Sequence, residues 1–200
     1  MRVITDDTFR AYSGTDLTQF EQKHEQNPAA PRVYRILRKT TIPQLIETIA
    51  KDTGSDPKML RLWGMVNRQN KTARPDIPIA ESIVTVDEAQ HKMFGNKQDL
   101  RLWAERAEDV DAEGEPIWLT HQSVSNGVSA KSDTIVLFLK YFDVEKQSLF
   151  GAGHIYISRE KKVEDIVPVI MKKMRWPEKD ANGKTQQLRL WEVSAFRATK

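Results

Sequence analysis

The string LRLW stands at residues 60–63, again at 100–103 and a third time at 188–191 of a 200-residue chain. Three copies mean similar strands within one domain, a copied domain, or coincidence, and the flanking sequence separates these readings. In the first copy the residues alternate, so that Leu60 and Leu62 share one face of a strand while Arg61 and Trp63 share the other. Just upstream, "TTIPQLIETIAKDTG" predicts a helix. Thr41 can cap it, Pro43 suits its first turn, Leu45, Ile46 and Ile49 fall on one side, and Gly54 stops the pattern.

Outward from that helix and strand, "MRVIT" at the N-terminus reads as a short strand. The polar residues after it read as a long, partly ordered hairpin insertion in which Phe9, Tyr12, Leu17 and Phe20 could pin the segment to a core. "RVYRILRK" alternates like a strand. Residues 67–97 read as loop with a strand at 83–86, and "DLRLWAERAE" closes the unit as another strand. The chain then turns acidic and next rich in Ser, Gly and Asn, which makes 122–132 the expected linker.

From Asp133 the order restarts. "DTIVLFLKYFD" and "LFGAGHIYISRE" read as strands, the latter with a glycine bend at Gly151 and Gly153. "KKVEDIVPVIMKKMRW" reads as a helix with Val163, Ile166, Val167, Ile170 and Met174 on one face, and "LRLWEVSAF" as a strand. Tyr34 aligns with Tyr156, Ile42 with Val163 and Leu60 with Leu188, the extra residues falling in "PEKDANGKTQQ". The first and third LRLW are then one structural position in two copies, and the middle one is the last strand of the first copy. A hairpin, a crossover helix and later strands in this order predict an α+β fold of two tandem β-grasp units, each a mixed sheet packed on one helix.

Composition sets limits on chemistry. The chain is 23.0 kDa, with 39% hydrophobic and 30% charged residues, which is ordinary globular material. It has no Cys, so thiolate zinc clusters, disulfides and a cysteine nucleophile are excluded from it. The start lacks a signal-peptide profile and no long apolar run is present, so a soluble intracellular protein without membrane contact is expected. Residues 1–130 carry 17 Lys and Arg against 19 Asp and Glu, and residues 131–200 carry 14 against 9. That asymmetry permits an acidic partner for the second half but lacks the dense basic stripe of a nucleic-acid binder.

Candidate chemical groups are few. His154 sits in "GAGHIYI" with no second histidine or carboxylate at ligand spacing and reads as an ordinary polar strand residue; His24, His91 and His121 form no constellation. Glu164 and Asp165 complement a helix dipole, and Lys172, Lys173 and Arg175 read as a solvated helix face. No cofactor or metal is implied, and no catalytic residue. The loop "NRQNKTARPD" is denser in donors than a connection requires, so Arg68, Asn70, Lys71 and Arg74 are the candidate partner-binding residues, set against a polar loop that caps its own backbone. Trp63, Trp103 and Trp191 are expected to be buried at the sheet's second face or at the contact between units, and Trp118 to pack one unit onto the other.

Two stretches, "DTIVLFLKYFDVEKQSLFGAGHIYISREKKVEDIVPVI" and "LRLWGMVNRQNKTARP", resemble the ubiquitin-like domains of the ubiquitin-specific protease 7 family of deubiquitinases. The resemblance implies two ubiquitin-like units, 1–127 with long hairpin and loop insertions and 133–200 lacking its final strand. It implies a non-catalytic segment of a cysteine protease that docks substrates and regulators, among them a viral ubiquitin ligase, and that contacts the catalytic domain of its parent protein. A spacer between catalytic and activating domains is the alternative. The resemblance also implies a monomer of nucleus and cytoplasm. The family's acidic peptide-binding loop has no counterpart before Lys200, and the strand "TIVLFLKYF" is expected to keep an unpaired edge and leave the second unit the less stable.

Overall fold

The computed structural model describes residues 1–20, 27–68, 72–95, 99–119, 124–125, 128–129, 133–177, 179, 183–185 and 187–192. Strand β1 (Arg2–Thr5) runs directly into a short helix α1 (Asp6–Ala11), followed by β2 (Arg32–Val33) and helix α2 (Ile42–Thr53). A 3-10 turn at Pro57–Met59 leads to β3 (Leu60–Asn67), then β4 (Ala73–Pro78), helix α3 (Val86–Phe94) and β5 (Arg101–Arg106). Two-residue strands β6 (Val124–Ser125) and β7 (Val128–Ser129) precede a long hairpin, β8 (Thr134–Asp143) and β9 (Ser148–Ser158), and helix α4 (Val163–Met174).

The first five strands form one mixed sheet in the order β2-β1-β5-β3-β4. The central pair β1 and β5 is parallel and the other neighbours are antiparallel, with Leu62 opposite Ala104 and Trp63 opposite Trp103. This is an α+β, ubiquitin-like arrangement. The LRLW alternation decides what each face carries. Val3, Leu60, Leu62, Leu102 and Ala104 meet Leu45, Ile49 and Ala50 of α2 and Val86 and Ala89 of α3. Ile4, Trp63, Met65 and Trp103 point the other way and meet Phe9, Leu17 and Phe20. Leu45, Ile49, Leu62 and Leu102 are 0–1% exposed, and full burial of such a side chain contributes about 1.5–3 kcal/mol.

Helix α2 forms for the reasons its sequence states. Thr41 accepts a hydrogen bond from the Gln44 amide at 3.4 Å, the Gln44 side chain accepts one from the Thr41 amide at 3.1 Å, and Gly54 ends the helix at φ 65°. Elsewhere the structure corrects the sequence reading. The expected polar hairpin after β1 begins as α1, because Thr5 and Thr8 exchange hydroxyl and amide hydrogen bonds in a capping box and turn the chain at once. Phe9, Tyr12, Leu17 and Phe20 are buried, as their spacing suggested. The strand expected at 83–86 is the approach to α3, which Thr85 caps by accepting from the Glu88 amide at 3.3 Å; the "loop" before it contains β4. Of "RVYRILRK" only Arg32–Val33 is strand, extended by one bond from the Tyr34 amide to the Met1 carbonyl at 3.1 Å.

In the second half, β8 and β9 pair antiparallel over their whole length, with one bulge where Leu139 faces Gly153 and Lys140 faces Gly151. The expected glycine bend is this bulge. Helix α4 buries Ile170 and Met171, half-buries Ile166, Val167 and Met174, and leaves Val163 64% exposed. The third LRLW is not a strand. Residues 187–192 are irregular and Trp191 is 79% exposed. An alternating pattern becomes a strand only where a neighbour supplies the ladder, and the described residues pair none with it. Residues 193–196, the rest of that expected strand, lie outside the described residues, as does most of the expected linker at 122–132.

Candidate functional site

Hairpin β8–β9 is laid across the tryptophan face of the first sheet. Val136 and Phe138 of β8 pack into the cluster of Ile4, Phe9, Trp63 and Trp103. Phe138 meets Phe9 edge-on at 5.4 Å and Trp103 at 4.9 Å, geometries that suit ring quadrupoles. Gly151 permits the approach, since a Cβ there would overlap the Phe9 carbonyl and the Arg10 backbone. Lys140 sets its ammonium over the Phe9 and Tyr12 rings, at 4.5 and 4.9 Å from their centroids, and donates to the Tyr12 carbonyl. Burial lowers its pKa to about 8. Trp63 and Trp103 are thus buried where the two halves meet, as expected; Trp191 is not.

A polar network threads this apolar contact. Glu105, 2% exposed, accepts hydrogen bonds from the Trp63 indole at 2.5 Å, from Arg61 Nε at 2.9 Å and from the Tyr156 hydroxyl. Burial, and then the Glu105 charge, push the Tyr156 phenol well above its ordinary range. His154 is 1% exposed; its Nδ1 lies 3.4 Å from Asp6 Oδ1 and its Nε2 3.9 Å from Glu105 Oε1. Its ring meets Trp103 edge-on at 4.9 Å and Tyr156 at 5.4 Å. Burial opposes the charge of Asp6, yet the contact and charge of His154, the Trp103 indole and Arg10 outweigh it and hold the carboxyl below its usual range. Tertiary structure therefore gives His154 the two carboxylates that local spacing did not. Neither carboxylate could be found from sequence, since both are distant in the chain. The arrangement braces an interface: the imidazole's two nitrogens face carboxylates of the chain itself, and its ring is packed among aromatic rings.

The loop singled out from sequence divides. Arg68 is exposed at the end of β3, its amide closing a turn on the Thr72 carbonyl at 2.8 Å. Asn70 and Lys71 lie outside the described residues. Arg74 is half-buried and ion-paired with Asp16, which also accepts from the Ala73 amide at 3.1 Å. Arg74 therefore fastens the 13–20 segment to β4. Asn67 accepts from Arg101 at 3.2 Å. Trp118 is half-buried with the Arg61 guanidinium 4.5 Å over its ring, so it covers the outer side of the Arg61–Glu105 pair. Among the described residues no group of three His, Cys, Asp or Glu side chains could hold a metal ion, and no helix is long and apolar enough to cross a membrane.

A ubiquitin-like sheet whose second face is closed by a hairpin, and whose buried polar groups serve the contact, defines an α+β domain of the ubiquitin-like class. The chain belongs to the family described as the ICP0-binding domain of ubiquitin-specific protease 7, which matches residues 60–197. It is 26% identical over 179 residues to Ubiquitin carboxyl-terminal hydrolase 15 of Schizosaccharomyces pombe, covering 88% of this chain and 15% of that protein. It is 28% identical over 171 residues to Ubiquitin C-terminal hydrolase 12 of Arabidopsis thaliana (83% and 14%), and 22% identical over 174 residues to Ubiquitin carboxyl-terminal hydrolase 7 of Drosophila melanogaster (87% and 14%). The chain spans about one seventh of the length of these relatives.

Proposed function

We propose that this chain is the docking segment of a ubiquitin-specific cysteine protease, two ubiquitin-like β-grasp units (1–127 and 133–200) that hold protein substrates or regulators by surface contact. The observation that carries the reading is the match to a binding-domain family across residues 60–197 in a chain without Cys. The catalytic domain of the parent protein is a second partner in this reading, while nucleic acid and membrane are not; the protein acts as a monomer in nucleus and cytoplasm. Arg68 is exposed, and with Lys71 it supplies the cationic donors, and Asn70 an amide donor, that a partner carboxylate would take. Arg74 supports the loop from behind through Asp16.

A quantitative pull-down from cell extract tests this, with the chain compared to an Arg68→Glu, Lys71→Glu variant. Arg74 stays unaltered so that the Asp16 anchor survives. Partners lost only from the variant support docking through this loop. Identical partner lists favour the second reading, a spacer that sets the distance between catalytic and activating domains. The wedging of the hairpin against the Trp63–Trp103 face, which stiffens the chain across its two halves, supports that second reading.

A further inference from the structure

We propose that His154 enters the junction as an imidazolium, so that seating the β8–β9 hairpin on the tryptophan face takes up one proton. A neutral imidazole has one N–H and one lone pair. Here Nδ1 faces Asp6 Oδ1 at 3.4 Å and Nε2 faces Glu105 Oε1 at 3.9 Å. A neutral ring can offer a proton to only one of these carboxylates and must turn its lone pair toward the other. The imidazolium offers a proton to both. Both nitrogens are buried without a well-aligned hydrogen bond, and both lie at ion-pair distance from a carboxylate, the contact a delocalised cation makes between two anions.

Most of the other charged groups around the ring are engaged elsewhere. From β3, Arg61 pairs with Glu105 through Oε2 at 2.7 Å, and from β9 the Tyr156 hydroxyl donates to Oε1. On α1, Asp7 is exposed, and Arg10 adds a longer-range attraction for Asp6. From α4, Lys173 passes Gly153 and pairs with Glu108 beyond β5; from β8, Lys140 is held by the Tyr12 carbonyl. Among the described residues Asp6 makes its ion pair with the imidazole, with Arg10 adding its charge, while Glu105 pairs with the Arg61 guanidinium as well as facing the imidazole. Buried charge is tolerated where it is matched. Asp6 and Glu105 belong to the first sheet unit and His154 to the hairpin, so the match exists only while the hairpin is seated. Unseated, the imidazole meets water, and a free histidine side chain loses its proton in the ordinary range of about pH 6.5. The seated state binds the extra proton, so seating weakens as pH rises above that range, by at most about tenfold in the equilibrium per pH unit.

The direct test is long-range proton–nitrogen NMR of the His154 ring in the whole chain at pH 7.5. Both ring nitrogens in the protonated range are expected; one protonated and one bare nitrogen would overturn the proposal. The consequence is read by hydrogen exchange at Ile155–Ile157, corrected for intrinsic rates, between pH 6.5 and 8.5. Opening of β9 should increase with pH, by up to about tenfold per unit, and His154→Gln should remove that dependence; parallel pH profiles for the two proteins would sink the idea. Should His154→Gln fail to fold, Asp6→Asn serves instead. It should move the loss of the ring proton to lower pH in the same NMR titration, and an unmoved titration counts against the bridge.

Discussion

Three tryptophans with the same three preceding residues have different weights in this protein. Trp103 is 0% exposed between Trp63, Phe138 and His154, whereas Trp191 is 79% exposed. Trp103→Ala should therefore cost about 3–5 kcal/mol in urea unfolding, and Trp191→Ala less than about 0.5 kcal/mol. Removing the Glu105 charge takes from the Arg61 guanidinium, 12% exposed, its carboxylate partner, so Glu105→Gln should cost about 3 kcal/mol, with the loss visible in the same experiment. Asp6 supplies a pH dependence of definite sign. Its folded carboxyl is held below the ordinary value, so its contribution is complete above the unfolded range near pH 4 and lost as pH falls through the folded one, with about that midpoint for a free carboxyl. Unfolding measured from pH 2 to 6 should show an acid limb that flattens in Asp6→Asn. Sequence made Trp63 and Trp103 legible through alternation. It read His154 as inert because the residues that define it come from α1 and β5, far along the chain.

At the scale of elements, legibility followed the strength of local signals. Helix α2 carries a cap, an N-terminal proline, a regular apolar stripe and a terminating glycine, so four independent cues agree. Helix α1 has six residues, too few for a stripe to show, and its capping partner is Thr8 where a glutamate is the familiar sign. Helix α3 announced itself only by Thr85 and Glu88, and β4, with two prolines and exposed Ile77, lacks the pattern of an interior strand because it is the sheet's edge. The bulge in β9 has a function that follows from contact: Gly151 lies against the Phe9 carbonyl. Gly151→Ala should force the hairpin off α1 at a cost of about 1–3 kcal/mol, with hydrogen-exchange protection lost in β8 and β9 and kept in β3 and β5; uniform protection would place the tolerance in α1 instead.

Across the whole molecule, burial is uneven. The five-stranded sheet is covered on both faces, by α2 and α3 on one side and by α1 and the hairpin on the other. The hairpin itself is half-exposed along nearly all of β8, and α4 covers it with little more than Ile170 and Met171. Native-state hydrogen exchange should therefore show β1, β3 and β5 opening only with global unfolding, and β8 and α4 opening at lower free energy; equal protection in both would mean that the junction couples them into one cooperative unit. The sequence by itself determined the alternation that sends Leu60, Leu62 and Leu102 to the helices and the tryptophans away from them, the limits of α2, and the exclusion of thiolate chemistry. These are local or compositional properties, set by the side-chain period and the residues present. Tertiary structure alone decided which LRLW copies become strands, that Arg74 is an anchor for Asp16, and that His154 lies between Asp6 and Glu105. Each of these depends on what lies opposite a residue in space, and packing across distant parts of the chain sets that neighbour, which no local pattern encodes.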